Sequence, residues 1–295
     1  MRFLRWLTFL VVVGGLGGLW VTRPQPLPDA ALSGVTGDAG AGRLVFAAAG
    51  CASCHTAPDS AAAELPVLAG GKQFATTFGT FIAPNISTDP DHGIGSWTDV
   101  QIASAVMRGV GADGEHLYPV FPYAAYEKAT MQDVADLIAY LRTLPADPTP
   151  SQAHDITFPF NFRFLLGGWK LLFTSPDWVI TGDLTAEQTR GRYLAEALGH
   201  CGECHTPRNA LGGLRRDQWL AGAPNPLGKG KIPNITPGVL TWSEADIVTY
   251  LTSGFTPDFD TAGGQMIEVI ANTSQLPDAD RAAIAAYLKI VPAID

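Results

Sequence analysis

"CASCHT", residues 51–56, is the stretch on which the reading of this chain turns. Two cysteines three positions apart, with a histidine directly after the second, form the C-x-x-C-H spacing. That spacing suits covalent attachment of a c-type haem. Two thiols add to the two vinyl groups of one porphyrin, and the adjacent imidazole supplies an axial nitrogen to iron. The pattern returns as "CGECHT", residues 201–206, and the two motifs use all 4 cysteines of the chain. Cys51, Cys54 and His55 are therefore the expected attachment residues of one haem c. Cys201, Cys204 and His205 are those of a second. A four-cysteine zinc site, a pair of disulfides or a redox dithiol would use similar cysteine pairs. The zinc and redox readings give no reason for a histidine to follow both times.

Working outward, the motifs sit in a longer repeat. "GRLVFAAAGCASCHT", "APNISTD", "SWTDVQI" and "DVADLIAYLRTLP" come in that order in the first half. "GRYLAEALGHCGECHT", "IPNITPG", "TWSEADI" and "DADRAAIAAYLKIVP" answer them in the second. Thr98-Asp99 and Ser243-Glu244 read as helix N-caps and first turns. Val100, Ala103 and Met107 recur at helical spacing, as do Ile247, Tyr250 and Leu251. Pro145 and Pro292 close the last helix of each half. Tyr140 and Tyr287, in the repeated Ala-Tyr-Leu triplet, are expected to pack where that helix crosses the first one.

The N-terminal stretch differs in kind. Trp6 to Val21 carries no charge, which at ~1.5 Å per helical residue spans about 24 Å. Arg2 and Arg5 precede it and Arg23 follows. The positive-inside rule keeps the N-terminus cytoplasmic and exports the rest. An uncleaved anchor over residues 1–24 is expected, with a cleaved signal peptide as the alternative. Charged residues are only 16% of the chain, with a net charge of −9 and a pI near 5.1, which argues against a nucleic-acid partner. No dinucleotide fingerprint, paired-carboxylate motif or nucleophile elbow is present. Between the halves, "FPFNFRFLLGGWKLLF", residues 158–173, is apolar and aromatic but a poor membrane span. Two readings stand for it: packing across both halves, or a docking surface for a partner or the membrane.

These stretches, with "FGTFIAPNISTDPDHGIGSWTD", "HLYPVFPYAAY" and "GGQMIEVIANTSQLP", resemble the c-type cytochrome subunits of bacterial membrane-bound dehydrogenases acting on alcohols, gluconate or sorbitol. The likeness is nearest to their dihaem relatives and runs from about residue 40 to the end. It implies a mainly α chain of two tandem class I cytochrome c-like domains after an N-terminal transmembrane helix. The expected boundaries are anchor 1–24, linker 25–37, first domain 38–146, inter-domain linker 147–185 and second domain 186–295. It also implies two covalent haem c groups and a location in the bacterial inner membrane, with the soluble domains in the periplasm. The implied partners are a catalytic dehydrogenase subunit of flavin, quinone or molybdenum type and a downstream acceptor: quinone, soluble cytochrome or oxidase.

The sixth iron ligands complete the expectation. Met266 falls in the ligand region of the second domain, and His/Met coordination raises a haem's potential. In the first domain, relatives often read YPAMPY, and here Phe121 stands where their methionine would. His116, at the head of that loop, and an open or water-bound iron are the two leading readings, with Met131 and Met107 behind them. His92, His154 and His200 are expected in surface or hydrogen-bonding roles. Backbone carbonyls, with Pro84 and Pro233 as candidates, should orient the proximal imidazoles. The functional expectation is an electron carrier. The alternative is a dihaem peroxidase-like enzyme that uses an open first haem.

Overall fold

The computed structural model describes residues 1–57, 65–225 and 230–295. The fold is mainly helical, as expected. It begins with α1 (Arg2–Val21), a 20-residue apolar helix with no buried residue. At ~1.5 Å per residue α1 is about 30 Å long, the thickness of a bilayer's hydrocarbon core.

Two sets of helices then follow the same plan. In the first, α2 (Ala39–Ala48) is capped by the Asp38 carboxylate and crosses α6 (Met131–Leu141), capped by Thr130. Gly42 sits at the crossing, where a Cβ would lie 1.9 Å from the Asp136 carbonyl oxygen and 2.9 Å from Tyr140 Cβ. Only glycine lets the two backbones approach so closely. In the second set, α8 (Ala186–Arg192) crosses α12 (Asp278–Ile290) at Gly191, 1.8 Å from the Ala283 oxygen by the same measure. Tyr140 and Tyr287 are buried at these crossings. Phe46 packs its ring against Tyr140 at 5.1 Å.

The repeat is imperfect in one instructive place. Gly191 to Cys201 is one residue longer than Gly42 to Cys51. The surplus residue is absorbed in a π-helical turn, Tyr193–Leu198, which continues α8. Both segments then reach their cysteine through the left-handed region, at Gly50 (φ 63°) and at His200 (φ 39°). For a histidine that conformation is strained.

The third helix of each set carries the expected cap. Thr98 and Gln101 form a capping box on α4 (Asp99–Arg108), and Ser243 and Asp246 form one on α10 (Glu244–Ser253). Buried side chains of both sets, among them Phe46, Ile138, Leu194 and Tyr287, merge into one hydrophobic core. The halves are packed together, not merely tethered.

The segment between the sets joins both. β3 (Asp155–Ile156) adds to the hairpin of β1 (Gln73–Thr76) and β2 (Gly79–Ile82), pairing Gly79 with Ile156. α7 (Leu165–Phe173) then reaches the second half, where Trp169 Nε1 donates to the Leu211 carbonyl at 2.9 Å and Phe173 covers Gly213. Packing across both halves is thus realised, although much of the segment's apolar surface stays exposed.

Candidate functional site

The two C-x-x-C-H motifs form single helical turns, α3 (Cys51–His55) and α9 (Gly202–His205). A three-residue spacing on such a turn sets both thiols on one side. All four cysteines are free. Burial pushes the Cys51 and Cys201 thiols up to about 12. A redox dithiol requires the opposite shift. Among the described residues no three His, Cys, Asp or Glu side chains converge to hold a metal ion. The zinc reading therefore has no geometry to support it.

Each motif histidine is held the same way. His55 Nδ1 lies 2.9 Å from the Pro84 carbonyl oxygen, and His205 Nδ1 lies 2.8 Å from that of Pro233. A carbonyl can only accept, so Nδ1 carries the proton and Nε2 keeps its lone pair. Burial lowers both pKa values, which favours the neutral imidazole an iron ligand must be. The carbonyls are themselves fixed by the asparagine that follows each proline. Asn85 Nδ2 donates to the Asp147 and Thr149 oxygens, both at 2.8 Å, and its Oδ1 accepts from Ser87 N. Asn234 donates to the Ile294 oxygen at 2.7 Å and accepts from Thr236 N. Sequence reasoning singled out the prolines and missed these asparagines. Their signal was the "PNI" repeated in both halves.

The opposite walls also correspond. Leu117 N donates to Gly109 O, and Ala262 N to Gly254 O, both at 2.8 Å, beside the bridges Val110–His116 and Phe255–Thr261. Counting four residues on from these equivalent bonds places Phe121 level with Met266. Met266 opens α11 (Met266–Thr273) and is half-buried. Phe121, also half-buried, sets its ring edge at 5.7 Å against Tyr126, the last residue of the short helix α5 (Tyr123–Tyr126).

The buried His116 imidazole is engaged elsewhere. Its Nε2 donates to the Thr22 carbonyl at 2.9 Å, just past the end of α1, while Nδ1 is buried without a partner. Ligation through Nε2 would require breaking the Thr22 bond. Met107 lies in the core and Met131 packs at its edge. His92 is exposed, and His154 Nδ1 accepts from Ile82 N at 3.1 Å.

The two motifs face each other. The Ala49 carbonyl, two residues before Cys51, accepts from Tyr126 OH at 2.8 Å and lies 3.4 Å from His200 Nε2. The Tyr126 and His200 rings meet edge-on at 5.6 Å. Asn272 Nδ2 on α11 donates to Ser53 Oγ, inside the first motif, at 2.7 Å. Lys72 bridges the Ser53 carbonyl and Glu268. Burial raises the Cys54 pKa, the Lys72 charge opposes that rise and Glu268 adds to it. The His200 imidazole thus reaches across this junction from a residue of positive φ.

Paired thiols, a neutral imidazole with a free Nε2 and an apolar opposite wall are the attachment chemistry of a c-type cytochrome. Residues 39–145 match the family model for cytochrome c. The chain is 57% identical to a diheme cytochrome c-type protein of Cereibacter sphaeroides, with 97% of each chain covered. It belongs to this family of dihaem c-type cytochromes. It is also 39% identical to the fructose dehydrogenase cytochrome subunit of Gluconobacter japonicus, covering 99% of this chain and 61% of that one. With the alcohol dehydrogenase (quinone) cytochrome c subunit of Gluconacetobacter polyoxogenes it shares 35% identity over 83% of this chain and 54% of that one. The chain thus spans little more than half the length of these dehydrogenase subunits.

Proposed function

We propose that the chain is a dihaem electron carrier that accepts electrons from a dehydrogenase subunit and delivers them to a quinone, a soluble cytochrome or an oxidase. Bound haem c would supply one-electron chemistry at each of the two sites. Cys51 and Cys54 would hold one group and Cys201 and Cys204 the other, within domains spanning 38–146 and 186–295. His55 and His205, aimed by the Pro84 and Pro233 carbonyls, would each give a nitrogen ligand to the iron. Met266 would give a sulfur ligand at the second site. Ala49, Tyr126 and His200 exclude water from the junction and fix the spacing of the two sites. α1 anchors the chain in the bacterial inner membrane, with the remainder in the periplasm.

The observation that carries this reading is the junction itself. Two attachment motifs on one shared core, joined through the Ala49 carbonyl to Tyr126 and His200 and through the Asn272–Ser53 hydrogen bond, suit current flow between sites. Membranes containing the chain and its native dehydrogenase provide the test. Adding ethanol, fructose or gluconate should reduce haem c with at least one of them, and silence toward every dehydrogenase substrate would count against the proposal.

A second reading draws on Phe121, which occupies the level of Met266 but cannot ligate iron. With His116 bonded to Thr22, the first site would lack a protein sixth ligand and could admit a small molecule. Hydrogen-peroxide turnover by the purified chain would favour this peroxidase-like reading over a carrier alone.

A further inference from the structure

The segment between the two halves is built inside out. Phe158, Phe162, Phe164, Leu171 and Leu172 face solvent, Phe158 being 76% exposed and Leu172 69%. The two cations of the same segment turn inward. Arg163 donates to the His116 carbonyl at 2.9 Å and stacks over Tyr118 at 4.6 Å. Lys170 Nζ donates to the carbonyls of Arg108 and Gly109, both at 2.7 Å, and lies over the Tyr123 ring. Burial lowers the Lys170 pKa to about 8, so the inward position works against its charge. A segment meeting water would do the reverse, extending its long cations outward and tucking its rings inside.

Position names the occupant of this surface. α1 is about 30 Å long, so a membrane-spanning α1 would end near the hydrocarbon boundary. Its end is clamped to this segment. A Cβ on Gly167 of α7 would lie 1.9 Å from the Thr22 carbonyl oxygen, so the two backbones touch, and His116 holds the same oxygen. Leu27 N is bonded to Ser104 Oγ at 3.0 Å, which fixes the chain's next step to the body. Trp20, with the Arg23 guanidinium 4.4 Å above its ring, provides the aromatic and cationic pair suited to an interface. The segment that carries the exposed rings is therefore tied to the point at which a membrane-spanning α1 would leave the bilayer.

We propose that residues 158–172 form a second, interfacial membrane contact, inserted into the outer face of the bilayer that α1 crosses. The contact does not span. It lays Phe158, Phe162, Phe164, Leu171 and Leu172 among the lipid headgroups and upper acyl chains, as monotopic elements do. Two attachments, one spanning and one interfacial, would stop the body from swivelling about α1. The inference rests on the anchor assigned to α1, and its test separates the two.

The full chain with haem attached is placed in nanodiscs of phosphatidylcholine and phosphatidylglycerol. Single nitroxide labels are introduced by Leu10→Cys on α1, Phe158→Cys, Leu172→Cys, and Glu187→Cys as an exposed reference on α8. Power-saturation spectroscopy compares collision with oxygen, which enters lipid, against a polar nickel chelate, which does not. The oxygen-to-nickel ratio should be several-fold higher at positions 10, 158 and 172 than at 187. A high ratio at 10 with values at 158 and 172 equal to that at 187 overturns the interfacial contact and leaves the anchor standing. In that case protection of 158 and 172 on adding the catalytic subunit would assign the surface to that protein. A low ratio at 10 overturns the anchor and the contact built on it.

Discussion

Replacing Gly42 with alanine tests the helix crossing that positions the first motif. The new Cβ would lie 1.9 Å from the Asp136 carbonyl oxygen, on the backbone of the facing helix. An ordinary carbon–oxygen contact is ~3.3 Å, so α2 and α6 must part by roughly 1.4 Å. Overpacking of this kind costs about 1–3 kcal/mol. A radial gap of ~1 Å forfeits up to about half of each dispersion contact beside it. The Phe46–Tyr140 pair, at 5.1 Å, is the first to loosen, a loss of up to ~1 kcal/mol. Alanine's better helix propensity returns about 0.5–1 kcal/mol. The central expectation is a loss of about 2 kcal/mol, or a fall in Tm of roughly 4–8 °C for a large domain. Thermal unfolding followed by circular dichroism measures it, and Gly191→Ala should behave alike, with 1.8 Å to the Ala283 oxygen. Gly168→Ala is the control: nothing lies within 4 Å of its Cβ, so Tm should hold or rise slightly. A Gly42→Ala protein as stable as its parent would refute the close-crossing argument.

Three further outcomes follow from the sites. Met266→Ala should remove the sulfur-to-iron charge-transfer band of the oxidised protein and lower one of its two midpoint potentials; an unchanged spectrum would exclude Met266 as a ligand. Phe121→Met should give the first site a second such band and raise its potential, since the residue stands level with Met266; no spectral change would show that the loop does not face iron. His154 gives a pH effect of definite sign. Burial first, then Arg163, lowers its pKa below the usual 6.5, and its Nδ1 must stay unprotonated to accept from Ile82 N. Its contribution to stability is therefore fully present above pH ~6.5 and is lost as pH falls through the lower folded value. Unfolding scans from pH 7 to pH 5 should show this loss, and His154→Gln should flatten it.

The chemistry-bearing residues were legible because their spacing is local. Two cysteines and a histidine within five positions point to haem attachment before any fold is known, and Thr98 and Ser243 mark helix starts by side-chain chemistry alone. The repeat in turn put Phe121 and Met266 in corresponding stretches, and the matched Leu117–Gly109 and Ala262–Gly254 hydrogen bonds set them level. What escaped the sequence was long-range. The partner of His116 is Thr22, 94 residues away, and no local pattern reports such a pair. The linker packs on the first half because β2 has a free edge for β3, and it meets the end of α1 because Gly167 lets the two backbones touch. The surplus residue before Cys201 was present in the sequence, but its absorption in a π-helical turn and the left-handed His200 required coordinates.

Electron transfer within this chain requires two covalent haem groups. Intact-mass spectrometry of the full chain, matured in a periplasm and then denatured, tests this directly. The expected mass is that of the polypeptide plus two haems, falling by one haem in the Cys51→Ser/Cys54→Ser variant and by one in Cys201→Ser/Cys204→Ser. A mass carrying one haem or none in the unaltered chain would contradict it.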